Sequence, residues 1–160
     1  MDLIIKGTEK LFKKVISPIV ITVYIVMILS LFLQVLTRYV FQAPLIWTEE
    51  VGIHSFIWLL FLSAGIAFIP DVHIRVTFVM NSFPEKIRFV LDIILRLAVL
   101  FCLLLIIIYG FRYADLVSYQ RTYSLRISKI YPVLAVPVGS LCMFLGVVHS
   151  ILIRIKDKLK

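Results

Sequence analysis

Residues Val15 to Thr37 read VISPIVITVYIVMILSLFLQVLT, and this segment indicates the fold class. It contains no charged residue. A helix needs roughly 20 apolar residues to cross a hydrocarbon core about 30 Å thick, and this stretch is long enough. Lipid offers no partner for backbone N–H and C=O groups, so a helix is the expected form. Ser17 and Pro18 are predicted to supply its N-cap and first-turn proline, and Arg38 follows its end.

Further apolar stretches follow along the chain, and 62% of all residues are apolar, against ~45–50% in soluble domains. Val51–Pro70 is entered through Glu49 and Glu50, whereas Leu97–Phe111 is short and must draw preceding residues into its first turns. We predict an all-α membrane protein, with residues 1–160 as a single membrane domain containing four transmembrane helices and short interfacial segments. The predicted spans are about 17–37, 50–70, 90–111 and 131–153.

Charge is distributed unevenly around these spans. The chain has 17 Lys and Arg against 9 Asp and Glu, a net charge of +8. Most of the basic residues lie before the first span, between the second and third, and after the fourth. The positive-inside rule therefore predicts that both termini are cytoplasmic, which makes nucleic-acid binding an unnecessary explanation of the charge. Most tyrosines then fall near the opposite surface, as an interfacial aromatic belt does.

Two pairs of polar residues lie near the ends of the first two spans. Gln34 and Arg38 are spaced i, i+4, and so are Glu50 and His54. If these helices are antiparallel neighbours, Arg38 meets Glu50 in an ion pair and Gln34 lies near His54. The alternative is that Arg38 and Glu50 lie among lipid headgroups, each favoured by the dipole of its helix end.

A second polar series leads into the third span. Arg88, Asp92 and Arg96 follow one another at i, i+4 and i+8, a spacing that predicts intrahelical ion pairs near the membrane boundary. A structural role is favoured over a proton relay, since long basic side chains can reach the boundary.

Several classes of site are disfavoured by the sequence. The two cysteines form no C-x-x-C, which argues against a disulfide framework or zinc site. His54 is predicted near the outer edge of the membrane and His149 near the inner end of the fourth span. The two side chains are therefore too far apart to ligate one haem. No P-loop and no catalytic dyad of suitable spacing is found. We therefore predict no catalytic residue, no cofactor and no metal.

Small residues indicate close helix packing. Ser63 and Ala67 form one small-x-x-x-small pair, and the fourth span carries a longer stripe. These faces require helix partners, either within this chain or on another subunit. Pro137, with Pro132 before it, is expected to disturb the fourth helix. The stripe consists of Gly139, Cys142, Gly146 and Ser150.

Short motifs connect the chain to a known family. RYVF at 38–41 precedes WTEE at 47–50, and WLLFLSAG at 58–65 precedes HIRV at 73–76. With a four-span topology, this series resembles the small membrane subunit of tripartite ATP-independent periplasmic (TRAP) transporters.

The resemblance implies a non-enzymatic subunit of the bacterial inner membrane. Such a subunit binds a larger membrane subunit that holds the sodium-coupled transport machinery. A periplasmic binding protein delivers the substrate, an organic acid such as sialic acid or a dicarboxylate. This binding protein could contact segments 39–47 and 113–129 of the present chain. The competing hypothesis is a small stand-alone carrier or membrane enzyme accessory that uses Glu50 and His54. The residues proposed for structural or interface roles are Gln34, Arg38, Trp47, Glu49, Glu50, His54, Trp58, His73, Arg88, Asp92 and Arg96.

Overall fold

The computed structural model describes residues 2–67 and 85–159. Within these ranges, four helices are long and apolar enough to cross a membrane. They are Lys6–Tyr39, Ile46–Ala67, Val90–Leu116 and Ile130–Ile153. The prediction of an all-α membrane protein with four spanning helices is confirmed. His73 and the side chain of Arg88 lie outside the described parts of the chain.

The first spanning helix starts well before the predicted position. Helix α1 (Asp2–Leu11) leads through a π-helical turn (Phe12–Ile16) into α2 (Ser17–Tyr39). Ser17 is therefore no N-cap, and that prediction is wrong: its backbone N–H donates to the carbonyl oxygen of Phe12, five residues earlier. Pro18 has no N–H to offer the preceding turn, and widening that turn lets the helix continue past the proline.

Helix α3 (Ile46–Ala67) begins earlier than the predicted 50–70 span. A short turn separates it from α2, with Gln42 in the left-handed region at φ 50°. The backbone N–H of Ala43 donates to the carbonyl oxygen of Thr37 at 3.0 Å, which closes the end of α2. Thr48 is fully buried and donates its hydroxyl to the carbonyl oxygen of Leu45 at 2.6 Å, across the start of α3.

The helices that contain the third and fourth spans continue beyond the predicted span limits. Helix α4 (Glu85–Leu116) has 32 residues. The fourth span consists of a short α5 (Ile130–Val133) and a long α6 (Ala135–Leu159), interrupted at Leu134. Pro137 cannot donate to the carbonyl oxygen of Val133, four residues earlier, which explains an interruption at this point.

The helices pack in the order α2, α3, α6, α4 rather than in chain order. Helix α6 lies inside this row. In the most apolar continuous segment of 18 residues in its span, 39% of the residues are buried. The corresponding figure is 6% for the first span. Helices α2 and α4 thus form the two edges of the row and leave most of their apolar surface uncovered.

The contact between α3 and α6 depends on glycine. A Cβ atom added to Gly65 would lie 2.9 Å from the Cβ of Cys142, and one added to Gly139 would collide with Phe61. Absence of side chains here lets the two backbones approach closely. The question left open by the small-residue stripe is thus answered for Gly139 and Cys142, which pack within this chain.

Candidate functional site

Polar side chains gather at the two ends of the helix row. The hairpin end contains the start of α3, the end of α4 and the connection between α4 and α5. The termini end contains α1, the first part of α4 and the second half of α6. Both names refer to elements of the chain and imply no side of the membrane.

At the hairpin end, Glu50 holds the connection between α4 and α5. One carboxylate oxygen accepts the backbone N–H groups of Ser124 at 3.0 Å and Leu125 at 2.8 Å. Both amides lie at the tip of the α4–α5 hairpin (residues 118–129), where no strand partner faces them. Because buried or half-buried N–H groups are costly without an acceptor, Glu50 stabilises this tip.

The hairpin has a regular base and an exposed tip. Thr122 donates its backbone N–H to the carbonyl oxygen of Ile127 at 2.9 Å, and Lys129 donates to that of Gln120 at the same distance. Arg126 adopts a left-handed conformation with φ 54°, which lets the chain reverse direction. Tyr123 is 95% exposed beside the tip. The hairpin therefore presents aromatic and basic side chains on a backbone anchored by α3.

The predicted ion pair between Arg38 and Glu50 does not form among the described residues. Arg38 is exposed, and the carboxylate of Glu50 faces the hairpin rather than α2. Gln34 was expected near His54, but its Nε2 atom donates to Glu49 Oε2 at 3.3 Å. Consecutive helical residues point about 100° apart, so α3 directs Glu49 towards α2 and Glu50 towards the hairpin.

An apolar groove of about 640 Å³ opens beside this anchor. Helices α3, α4, α5 and α6 and the hairpin line it, and Ile53, Ile57 and Val136 contribute to its wall. Glu50, His54 and Lys129 are among the few ionisable groups that line it. Lys129 Nζ donates to Gln120 Oε1 at 3.1 Å and lies 5.7 Å from the centre of the Tyr123 ring. Within the described residues, no group of three His, Cys, Asp or Glu side chains could hold a metal ion.

At the termini end, Arg96 joins α4 to α6. Its Nε atom donates to Asp92 Oδ2 at 3.1 Å, so the structure contains the intrahelical pair that the i, i+4 spacing predicts. Its Nη1 atom donates to the hydroxyl of Ser150, which is fully buried on α6. Arg96 itself is only 7% exposed. The ion pair is thus part of the packing between two spans.

His149 ties α1 to the same end of α6. Its Nδ1 atom is 2.6 Å from Thr8 Oγ1, and its Nε2 atom is 3.8 Å from a carboxylate oxygen of Glu9. The imidazole is 1% exposed. Sequence reasoning considered His149 only as a haem ligand and missed this contact, because nothing in a helical spacing relates residue 8 to residue 149.

The two tryptophans for which structural or interface roles are predicted take no part in either polar cluster. Trp47 is 40% exposed at the start of α3, and Trp58 is half-buried further along the same helix. Large apolar side chains are exposed along both edge helices, among them Leu29 and Phe32 on α2 and Phe101 on α4. The described surface of the spans is therefore suited to lipid or to another membrane-embedded chain.

The chain is similar to known proteins of membrane transport. Residues 27–157 match the model of the family described as "Tripartite ATP-independent periplasmic transporters, DctQ component". The chain is 30% identical over 138 residues to the sialic acid TRAP transporter small permease protein SiaQ of Vibrio cholerae, a match covering 84% of this chain and 80% of SiaQ. It is 31% identical over 140 residues to a putative TRAP transporter small permease protein of Haemophilus influenzae, covering 88% and 81%.

A longer protein is also similar. The sialic acid TRAP transporter permease protein SiaT of Haemophilus influenzae is 30% identical over 135 residues, which cover 84% of this chain but only 22% of SiaT. A segment like this chain is thus a minor part of a much larger permease there.

Proposed function

Because the chain belongs to the DctQ family of small TRAP transporter subunits, a transporter component and not an enzyme, we propose that it is the static scaffold for a larger transport subunit. In this proposal the larger subunit moves an organic acid together with sodium ions. The small subunit fixes the position of that machinery in the bilayer.

The observation that carries this proposal is the open row of helices. In it, α2 and α4 leave their apolar faces uncovered, although α3 and α6 pack closely. A large partner would extend the row and cover one of these faces. SiaT supports such a pairing, because a segment similar to this chain is joined there to a longer permease sequence.

The placement of polar groups also favours a scaffold over a carrier. A secondary transporter typically holds its substrate near the membrane midplane on interrupted helices. In the described residues, the carboxylates and the buried arginine lie towards the ends of the spans, and Glu50 is engaged by two backbone amides. The stand-alone carrier using Glu50 and His54 would have to release Glu50 from the hairpin.

Substrate and orientation follow as further parts of the proposal. The names of SiaQ and SiaT favour a sialic acid as the organic acid. The basic residues favour an inner-membrane protein with both termini in the cytoplasm, which directs the α4–α5 hairpin to the periplasm. There the hairpin could meet the substrate-binding protein. Arg38, Trp47, Glu49 and Trp58 remain proposed interface or structural residues.

The experiment compares the chain alone with the chain and its large subunit in liposomes. Labelled sialic acid, a binding protein and a sodium gradient are supplied to both. We expect uptake only when both membrane subunits are present, and the two should purify together. Sodium-driven uptake by the small chain alone would refute the scaffold. Uptake by the large subunit alone at the same rate as by the pair would also refute it.

A further inference from the structure

Four lysines lie on one face of the helix that leads into the membrane. Lys6, Lys10, Lys13 and Lys14 are all exposed on α1 and the π-helical turn. At about 100° per residue, Lys10, Lys13 and Lys14 lie within roughly 80° of Lys6 around the helix axis. The π-helical turn has more residues per turn, which brings Lys14 nearer to Lys10. Together they form a continuous basic strip, the lysine face, about 12 Å long.

The opposite side of this helix is held by the rest of the protein. Phe12 is 1% exposed and Ile16 is 7% exposed, and Thr8 contacts His149 on α6. These contacts prevent rotation of the helix about its axis, so the lysine face points away from the helix row. None of the four lysines forms an ion pair with a carboxylate within residues 6–67 and 90–153.

We propose that the lysine face binds the phosphate groups of anionic phospholipids at the membrane surface. The lysines adjoin the apolar part of α2, which places their ammonium groups at headgroup level when α2 is in the hydrocarbon core. Each Lys near an anionic membrane surface contributes favourably, and several on one face act together. This site goes beyond the proposed function, since it requires neither the large subunit nor a transported solute.

Binding of this kind has a consequence for the fold. Lipid phosphates on one side of α1 and His149 on the other would hold the helix between the headgroup layer and α6. The tilt of the first span would then depend on anionic lipid. In a neutral bilayer, α1 would be held by its contacts with the rest of the protein, among them those of Thr8, Glu9 and Phe12.

The test uses the full chain purified in a neutral detergent, where membrane orientation has no influence. Native mass spectrometry measures binding of phosphatidylglycerol and of phosphatidylcholine at equal concentration. We expect preferential binding of phosphatidylglycerol. In the quadruple variant K6Q/K10Q/K13Q/K14Q its affinity should fall about tenfold or more. The K6R/K10R/K13R/K14R variant should retain it.

A matched control removes charge at the other end of the molecule. R112Q/R121Q/R126Q alters three exposed arginines at the hairpin end and should leave phosphatidylglycerol binding unchanged. Circular dichroism confirms that each variant keeps its helix content. Equal binding of the two lipids by the wild-type chain would overturn the proposal. So would full retention by the quadruple glutamine variant, or an equal loss in the arginine control.

Discussion

The hairpin end and the termini end use polar groups in opposite ways. At the termini end, Arg96 and Ser150 connect the side chains of two spans, and both are buried. At the hairpin end, Glu50 connects a span to the backbone of a loop whose side chains are exposed. The first arrangement holds helices to one another, whereas the second positions a surface. We therefore expect damage at the termini end to lower global stability and damage at the hairpin end to act locally.

The largest effect is expected from Arg96→Met. The methionine cannot form the hydrogen bonds that the buried guanidinium donates to Asp92 and to Ser150, and loss of these charge-assisted contacts costs about 3 kcal/mol in free energy of unfolding. Arg112→Met is the matched control, because Arg112 is exposed near the end of α4. Unfolding in detergent, followed by circular dichroism, measures both. Equal stability of the two variants would show that the Arg96 cluster contributes nothing to helix packing.

The contact between α3 and α6 gives the next largest effect. Gly139→Ala places a methyl group against Phe61, and overpacking of this kind costs about 2 kcal/mol. Gly7→Ala is the control, since nothing lies within 4 Å of an added Cβ there, and alanine favours a helix. The same unfolding measurement applies. If Gly139→Ala proved as stable as Gly7→Ala, the inference that α3 and α6 approach closely at Gly139 would be wrong.

A local effect is expected from Glu50→Ala. Loss of the carboxylate leaves two amides without their acceptor, so hydrogen exchange at Ser124 and Leu125 should accelerate about tenfold. Overall unfolding should change much less than in the Arg96 variant. Glu49→Ala is the control, because Glu49 contacts Gln34 and not the hairpin. Equal exchange rates in the two variants would contradict the role of Glu50 as the hairpin anchor.

The smallest effect concerns the attachment of α1. Thr8→Val keeps the shape of the side chain but removes the hydroxyl near His149, a loss of about 1 kcal/mol. Thr22→Val is the control, since that hydroxyl bonds only to Pro18 within its own helix in the described structure. Limited trypsin digestion at the α1 lysines reports detachment of the helix. Cleavage at the same rate in both variants would mean that the Thr8 contact does not hold α1.

Local spacing explains which polar contacts were predictable. Asp92 and Arg96 belong to one helix, where an i, i+4 separation brings side chains together whatever the rest of the fold does. Arg38 and Glu50 belong to different helices, and their pairing required the correct rotation of α2 against α3. The WTEE motif contains two adjacent carboxylates, and spacing alone did not reveal which of them faces α2.

The start of the first spanning helix shows a second limit of prediction from the sequence. Ser17 and Pro18 match the residue types preferred at a helix start, but the same proline is tolerated inside a helix when the preceding turn widens. The packing of Phe12 and Ile16 against the row favours the continuous helix, and those contacts involve residues distant in sequence. The small-residue stripe was predictable as a packing face, whereas its partner at Phe61 was not.

Sequence information was enough to assign the class of the protein, because long uncharged stretches in lipid must form helices that satisfy their own backbone hydrogen bonds. It also determined the intrahelical pair and the family membership. Three features became known from the three-dimensional packing of the helices: the order α2, α3, α6, α4, the anchoring of the hairpin by Glu50 and the docking of α1 on His149. These contacts depend on how helices rotate and approach one another, and lipid-facing and partner-facing apolar surfaces have the same composition.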